Sequence, residues 1–189
     1  MMISAIDAIH MRRSIRAYRT EQLTDGQLQA ILDAGLAAPS AVNRQPFHFS
    51  AVQDQALLTR INEATRQQIL QAAPDEAAKK NLSDPSWSVF YHAPTVIFLS
   101  CPPLSQMRYA QTDSGIAIEN MALAAVGLGL GSVILGRPRE AFAGPEADEF
   151  RKALCFPEGY DFILALAVGY PAEERGAHAV RPGLISIIK

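Results

Sequence analysis

The stretch Asp113–Arg137, DSGIAIENMALAAVGLGLGSVILGR, constrains the fold more than any other. From Ile116 to Leu130 apolar residues fall on every side of a helical period, and a helix apolar all round is a buried one. Asp113 or Ser114 can accept the unpaired N–H groups of a first turn, so the helix is expected to start there. One stripe, Asp113, Ala117, Asn120, Ala124, Gly127 and Gly131, is small or polar throughout. It would let another helix approach closely, the same helix of a second subunit included. Ile116, Leu123, Val126 and Leu130, or Ile118, Met121 and Leu128, are bulky enough to anchor a core. Val133 and Ile134 then begin a short strand that Gly136 closes.

The same stretch argues against two architectures. A membrane span needs about 20 mostly apolar residues, yet Glu119 and Asn120 interrupt this run and Met121–Leu135 alone is too short. A dinucleotide fingerprint needs G-x-G-x-x-G at a strand-to-helix turn. Gly127, Gly129 and Gly131 have the wrong final spacing and sit at a helix end.

The 189 residues suffice for a single domain, 1–189, with a sizeable core. A net charge of −2 provides no field toward nucleic acid or anionic membranes, and neither is expected as a partner. Cys101 and Cys155 make no metal or redox spacing and read as reduced core thiols. The N-terminus lacks the apolar run of a signal peptide, so a cytoplasmic location is expected.

In chain order, Ser4 and Asp7 form a capping box, with Ile6 and Ile9 expected to face inward. Arg12, Arg13, Ser14 and Arg16 follow; such a cluster suits a phosphate, and from spacing alone a solvated basic turn fits equally well. Thr24 and Gln27 cap a helix with Leu28, Ile31, Leu32 and Leu36 on one face, which must end before Pro39. The loop Ala38–Phe47 holds two prolines and the polar Ser40, Asn43 and Gln45. A rigid polar loop can hold a planar heteroaromatic ligand by its edge, although local chemistry favours a capped connector. Phe47–Val52 reads as a strand, and Asp54 starts a helix with Leu57, Leu58, Ile61 and Ile69 inward. The segment 73–92, with Trp87, Phe90 and Tyr91, is either a mobile lid with aromatic teeth or a core cluster under a long loop. Thr95–Cys101 and Phe162–Gly169 are continuous apolar strands, buried on both faces, and Glu146–Leu154 is a short helix. The tail 170–189 ends apolar, which suits docking on a partner subunit.

No phosphate loop, H-E-x-x-H or G-x-S-x-G elbow is present, and the four histidines are scattered, so no metal site is expected. A chain without a protein nucleophile or base points to a borrowed cofactor, if it is an enzyme.

Three stretches in order, Arg12-Arg13-Ser14-x-Arg16, Ala38-Pro39-Ser40-x-x-Asn43-x-Gln45-Pro46-Phe47, and the helix ending Gly127-Leu128-Gly129 before Ile134-Leu135-Gly136, resemble the FMN-dependent nitroreductase family. The resemblance implies an α+β fold, a central mixed β-sheet flanked by helices, and an intertwined homodimer with FMN at the subunit interface. Arg12, Arg13, Ser14 and Arg16 would hold the phosphate, ribityl chain and pyrimidine edge from one subunit. Pro39, Ser40, Asn43 and Gln45 would contact the flavin from the other. Ile134, Leu135 and Gly136 would line the ring through backbone groups, and Arg181 matches a late basic residue at the phosphate. No protein side chain is expected to be catalytic, since the flavin carries the chemistry. The implied activity passes electrons from NAD(P)H through FMN to a flat electron-poor acceptor, a nitroaromatic or quinone, with ping-pong kinetics. Flavin breakdown or reductive dehalogenation on the same fold, or flavin binding without turnover, are the alternatives. Phe47 stands where many members have Trp, and Arg137 where a second Gly is frequent; the segment 73–92 matches no family signature and leaves the substrate open.

Overall fold

The structure, a computed structural model, describes residues 3–72, 79–80 and 82–189. Helix α1 (Ala5–Met11) opens on the expected box: Ser4 Oγ accepts the Asp7 N–H at 3.1 Å and the Asp7 carboxylate accepts the Ser4 N–H at 3.2 Å. Thr24 and Gln27 cap α2 (Asp25–Leu36) in the same reciprocal way. Asp54 caps α3 (Gln55–Ala72), accepting the Ala56 N–H at 2.8 Å. Helices α4 (Ala110–Gly127) and α5 (Ala147–Ala153) follow. The strands are β1 (His48–Val52), β2 (Thr95–Cys101), β3 (Gly131–Leu135) and β4 (Asp161–Gly169).

The strand order is β1-β2-β4-β3, and each neighbouring pair is antiparallel. The mixed character expected of this α+β sheet is confined to one parallel bridge, Ser14 to Ser132, on the outer edge of β3. Strands β2 and β4 are central, which is why both read as continuous apolar runs: alternate side chains go to opposite covered faces. Val96 and Phe98 join a cluster with Leu58, Ile61, Phe142 and Phe150. Ile97 and Leu99 join another with Ile31, Ile118, Met121 and Leu166. Helices α2 and α4 thus cover one face; α3, α5 and the tight turn Arg137–Ala143 cover the other.

Helix α4 starts earlier than its composition suggests, at Ala110, with Tyr109 in the capping position. Asp113 therefore lies inside the helix, 5% exposed, and is not its cap. The first half of the small stripe is occupied within the chain, where Asn120 Nδ2 donates to Ala34 O at 3.2 Å and Ala117 packs with Ala38 and Phe47, whereas Ala124 is half-buried and Gly127 exposed. Gly35 permits this approach, since a Cβ there would lie 2.9 Å from Met121 Cγ. Leu36, expected on the inner face of α2, is exposed, because the helix ends there.

Two further expectations are reversed. Ile6 and Ile9 are 66% and 56% exposed, because short α1 turns Ala8 inward instead. Cys101 is buried, but Cys155 is exposed in a left-handed turn after α5 (φ 54°). Phe90 is 3% exposed, and Trp87 and Tyr91 pack on the same cluster, so the aromatic end of 73–92 is core. Of the suggested lid, residues 73–78 and 81 lie outside the described residues. Among the described residues no helix is long and apolar enough to cross a membrane.

Candidate functional site

Residues 12–16 leave α1 and run to the outer edge of β3. The Ile15 N–H donates to Ser132 O at 3.0 Å, and the Tyr18 hydroxyl donates to Ile15 O at 2.6 Å. Burial, foremost, raises the Tyr18 pKa, so the phenol stays a donor. Gly131 admits this contact: a Cβ there would lie 2.9 Å from Ile15 Cγ1. With Ile15 locked inward, the polar neighbours are set around it.

Arg12, Arg13, Ser14 and Arg16 line one cavity of about 310 Å³, together with Arg175, Gly176 and His178. Four guanidinium groups gather there, and no acidic residue is in the lining. Arg12 pairs with Glu119 at 3.2 Å. Arg13 donates to Arg12 O at 2.7 Å, but its Nε is buried without a partner. Such an orphaned cationic donor costs free energy unless something accepts from it. The Glu173 carboxylate ties the cavity wall together, accepting the Arg16 N–H at 2.5 Å and two Arg175 bonds at 2.9 Å. Those Arg175 bonds, and then the Arg16 bond, hold Glu173 below the usual glutamate range.

Ile134, Leu135 and Gly136 lie further along β3. The Leu135 side chain belongs to the core and Ile134 is half-buried, while Gly136 is exposed. Past the Ser14 bridge, the outer edge of β3 has no strand partner among the described residues. Backbone groups, rather than side chains, are what this segment can offer a ligand.

The 39–47 loop stands apart; none of it lines the arginine cavity. Val42, Asn43 and Gln45 have φ of 48°, 53° and 47°. Left-handed backbone is unusual outside glycine, and for β-branched Val42 it is an outlier. Three clamps hold it. Asp113 accepts the Ala41 N–H at 3.2 Å, Ser40 Oγ accepts the Gln45 N–H at 2.8 Å, and Gln45 Nε2 donates to Asn43 Oδ1 at 2.9 Å. Pro39, Asn43 and Gln45 are exposed, and Ser40 is half-buried.

The chain thus gathers Arg12, Arg13, Ser14 and Arg16 in one place, Pro39, Ser40, Asn43 and Gln45 in another, and does not join the two. Arg181 lies in the exposed tail, outside the arginine cavity; Arg175 and His178 are there instead. Both were missed in the sequence, as was Asp113 as the clamp of the loop. The run Glu173-Glu174-Arg175, shortly after β4, was the available signal for the first. Among the described residues, no group of three or more His, Cys, Asp or Glu gathers where a metal could sit.

A family model described as the Nitroreductase family matches residues 9–170. A protein of Archaeoglobus fulgidus, provisionally named an NADH dehydrogenase/NAD(P)H nitroreductase, is 34% identical over 92% of this chain and 89% of its own length. A nitroreductase with bound FMN from Desulfitobacterium hafniense superposes with a TM-score of 0.90 at 30% identity, covering 100% of both chains. Another with bound FMN, from Bacteroides fragilis, gives 0.89 at 30% identity over 99% of this chain and 100% of its own. The chain belongs to the nitroreductase family.

Proposed function

We propose that this chain is an NAD(P)H-dependent flavin oxidoreductase that carries FMN as a homodimer. Its partner molecule would be a flat, electron-poor acceptor, a nitroaromatic or quinone. The carrying observation is the cavity of four arginines with the unpartnered Arg13 Nε. A phosphate dianion is the group that such a donor set satisfies, since guanidinium forks grip its oxygens in pairs. When bound, FMN would supply the redox chemistry, hydride acceptance from NAD(P)H and delivery of those electrons to the acceptor.

The chain's own residues bind and orient. Arg12, Arg13, Ser14 and Arg16 would hold the phosphate end, with Arg175 in the place expected of Arg181. Backbone groups of Ile134, Leu135 and Gly136 would face the ring, and Pro39, Ser40, Asn43 and Gln45 would reach it from the other subunit. The separation of these groups within one chain supports a second subunit. Exposed apolar side chains support it too: Ile6, Ile9 and Met11 on α1, Ile116 on α4, and Val180, Leu184, Ile185, Ile187 and Ile188 in the tail. An apolar surface of that extent calls for a partner. One pocket used alternately by donor and acceptor gives ping-pong kinetics.

The test is spectroscopic. The purified dimer should be yellow, heat should release FMN, and NADPH or NADH should bleach the flavin under anaerobic conditions. Release of FAD, or no flavin after reconstitution with FMN, overturns the reading. Flavin that neither nucleotide bleaches would leave a binding protein without turnover.

A further inference from the structure

A second cavity, of about 280 Å³, opens between the strained 41–44 turn and the segment 106–109. Val42, Arg44, Met107, Arg108, Tyr109 and Asp113 contribute to its walls. Arg44 is exposed, flanked by left-handed Asn43 and Gln45, and makes no ion pair with any described residue. The Arg108 guanidinium stacks over the Tyr109 ring, 5.5 Å from its centroid, which leaves its N–H edge free. Asp113 is the acidic residue of the lining, but it is almost fully buried and engaged by the Ala41 N–H. What faces the opening is two uncompensated guanidinium groups beside apolar Val42, Met107 and the Tyr109 ring.

We propose that this cavity binds the oxyanion group of the small molecule that exchanges electrons at the site. The chemistry is a carboxylate or phosphate attached to a flat body. Guanidinium forks pair with either, while the apolar walls accept a ring. The volume sits just below the range of about 300–1,000 Å³ that holds a drug-sized ligand. It therefore suits one aromatic acid, or one phosphate of a dinucleotide, and not a whole dinucleotide. Its role in turnover rests on the FMN reading, since Arg44 lies between the two loop residues, Asn43 and Gln45, that would touch the flavin. Its binding does not.

The experiment is calorimetry of benzoate, benzyl alcohol and NADP⁺ on the FMN-reconstituted protein and on the flavin-free chain, for wild type, Arg44→Gln and Arg108→Gln. Benzoate should bind at least tenfold more tightly than benzyl alcohol, and each substitution should remove about tenfold of that preference. In turnover, the ratio of kcat/KM for p-nitrobenzoate over p-nitrobenzyl alcohol should fall by the same factor. If the natural source is the dinucleotide phosphate, NADP⁺ affinity falls tenfold in both variants while benzoate shows no preference. Equal binding of benzoate and benzyl alcohol, with NADP⁺ affinity unchanged in both variants, overturns the proposal. A chain that holds no FMN but keeps the benzoate preference overturns the function and spares the cavity.

Discussion

Residues 12–16 and residues 40–45 each present polar groups beside the same helix-flanked sheet, yet they are held differently. The first segment is fixed by secondary structure: its backbone bridges to β3, and Ile15 fills the space that Gly131 leaves. Its strain is electrostatic, since it crowds cations and leaves Arg13 Nε unpartnered. The second carries a single charge, Arg44, but its backbone is bent, with three left-handed residues. It is fixed by side chains, Asp113 from α4 and the loop's own Ser40 and Gln45. A site that needs both thus stores cost in two forms, an unsatisfied cationic donor at one end and dihedral strain at the other. A ligand with a dianionic end and a planar end relieves the first and uses the rigidity of the second.

The contrast breaks most sharply at the strand edge. Gly131→Val would drive a branched side chain into Ile15, whose nearest atoms already lie 2.9–3.0 Å from a Cβ there. Overpacking should cost about 3 kcal/mol, seen as a lower Tm, and displace the arginine segment so that FMN binding is lost while the 39–47 loop is unaffected. A wild-type Tm with intact flavin binding would mean that the edge does not fix the arginines.

At the other end, Asp113→Ala removes the acceptor of the Ala41 N–H. The loss should be about 1–3 kcal/mol, the cost of leaving a buried N–H without its acceptor. Asp113→Asn keeps an oxygen in place and should recover most of it. Faster amide exchange at Ala41 in the alanine variant alone would confirm the clamp. Equal exchange in the two variants and wild type would remove Asp113 from the loop's support.

The same contrast explains what the sequence disclosed. The cluster at Arg12–Arg16 was visible because charge is read one letter at a time, and β2 and β4 because both-face burial leaves no polar letter. Capping boxes at Ser4 and Thr24 were visible because their partners lie three residues away. Asp113 was misjudged because its partner is 72 residues distant; an aspartate near a helix start looks like a cap until the chain that crosses it is known. The left-handed bends at Val42 and Gln45 leave no trace, because glycine and, after it, asparagine advertise such geometry and neither residue is one of these. Ile6 and Ile9 misled for a related reason: periodicity shows that a stripe is apolar, not which chain covers it. Arg181 was named by its position in a pattern and Arg175 was not considered; the contacts that hold Arg175 at the arginine cavity run through Glu173, which accepts from both Arg16 and Arg175.

That choice yields the next test. Arg175→Gln should weaken FMN binding about tenfold, near 1.4 kcal/mol, while Arg181→Gln should change it less than threefold. Fluorescence titration of FMN separates them. If Arg181 carries the larger effect, the tail rearranges when the dimer forms, and the cavity within one chain is not the bound arrangement.

The smallest effect concerns Glu173, which joins the arginine cavity to the tail. Its carboxylate is held below the usual glutamate range by Arg175, and next by the Arg16 N–H. A depressed folded-state value means that its contribution is present above the unfolded glutamate value and is lost as pH falls through the depressed one. The clip between Arg16 and Arg175 should therefore stay closed at neutral and mildly acidic pH and open only below the ordinary glutamate range. The amide proton shift of Arg16 reports this directly, because that N–H donates to Glu173. In Glu173→Gln the shift should be displaced at all pH values and flat across the acidic range, since the amide cannot titrate. The 39–47 loop, whose clamp does not involve Glu173, should show no matching change. Were the Arg16 shift in wild type to titrate at the ordinary glutamate value, or not at all, Glu173 would be a surface pair and the cavity wall would depend on the strand edge alone.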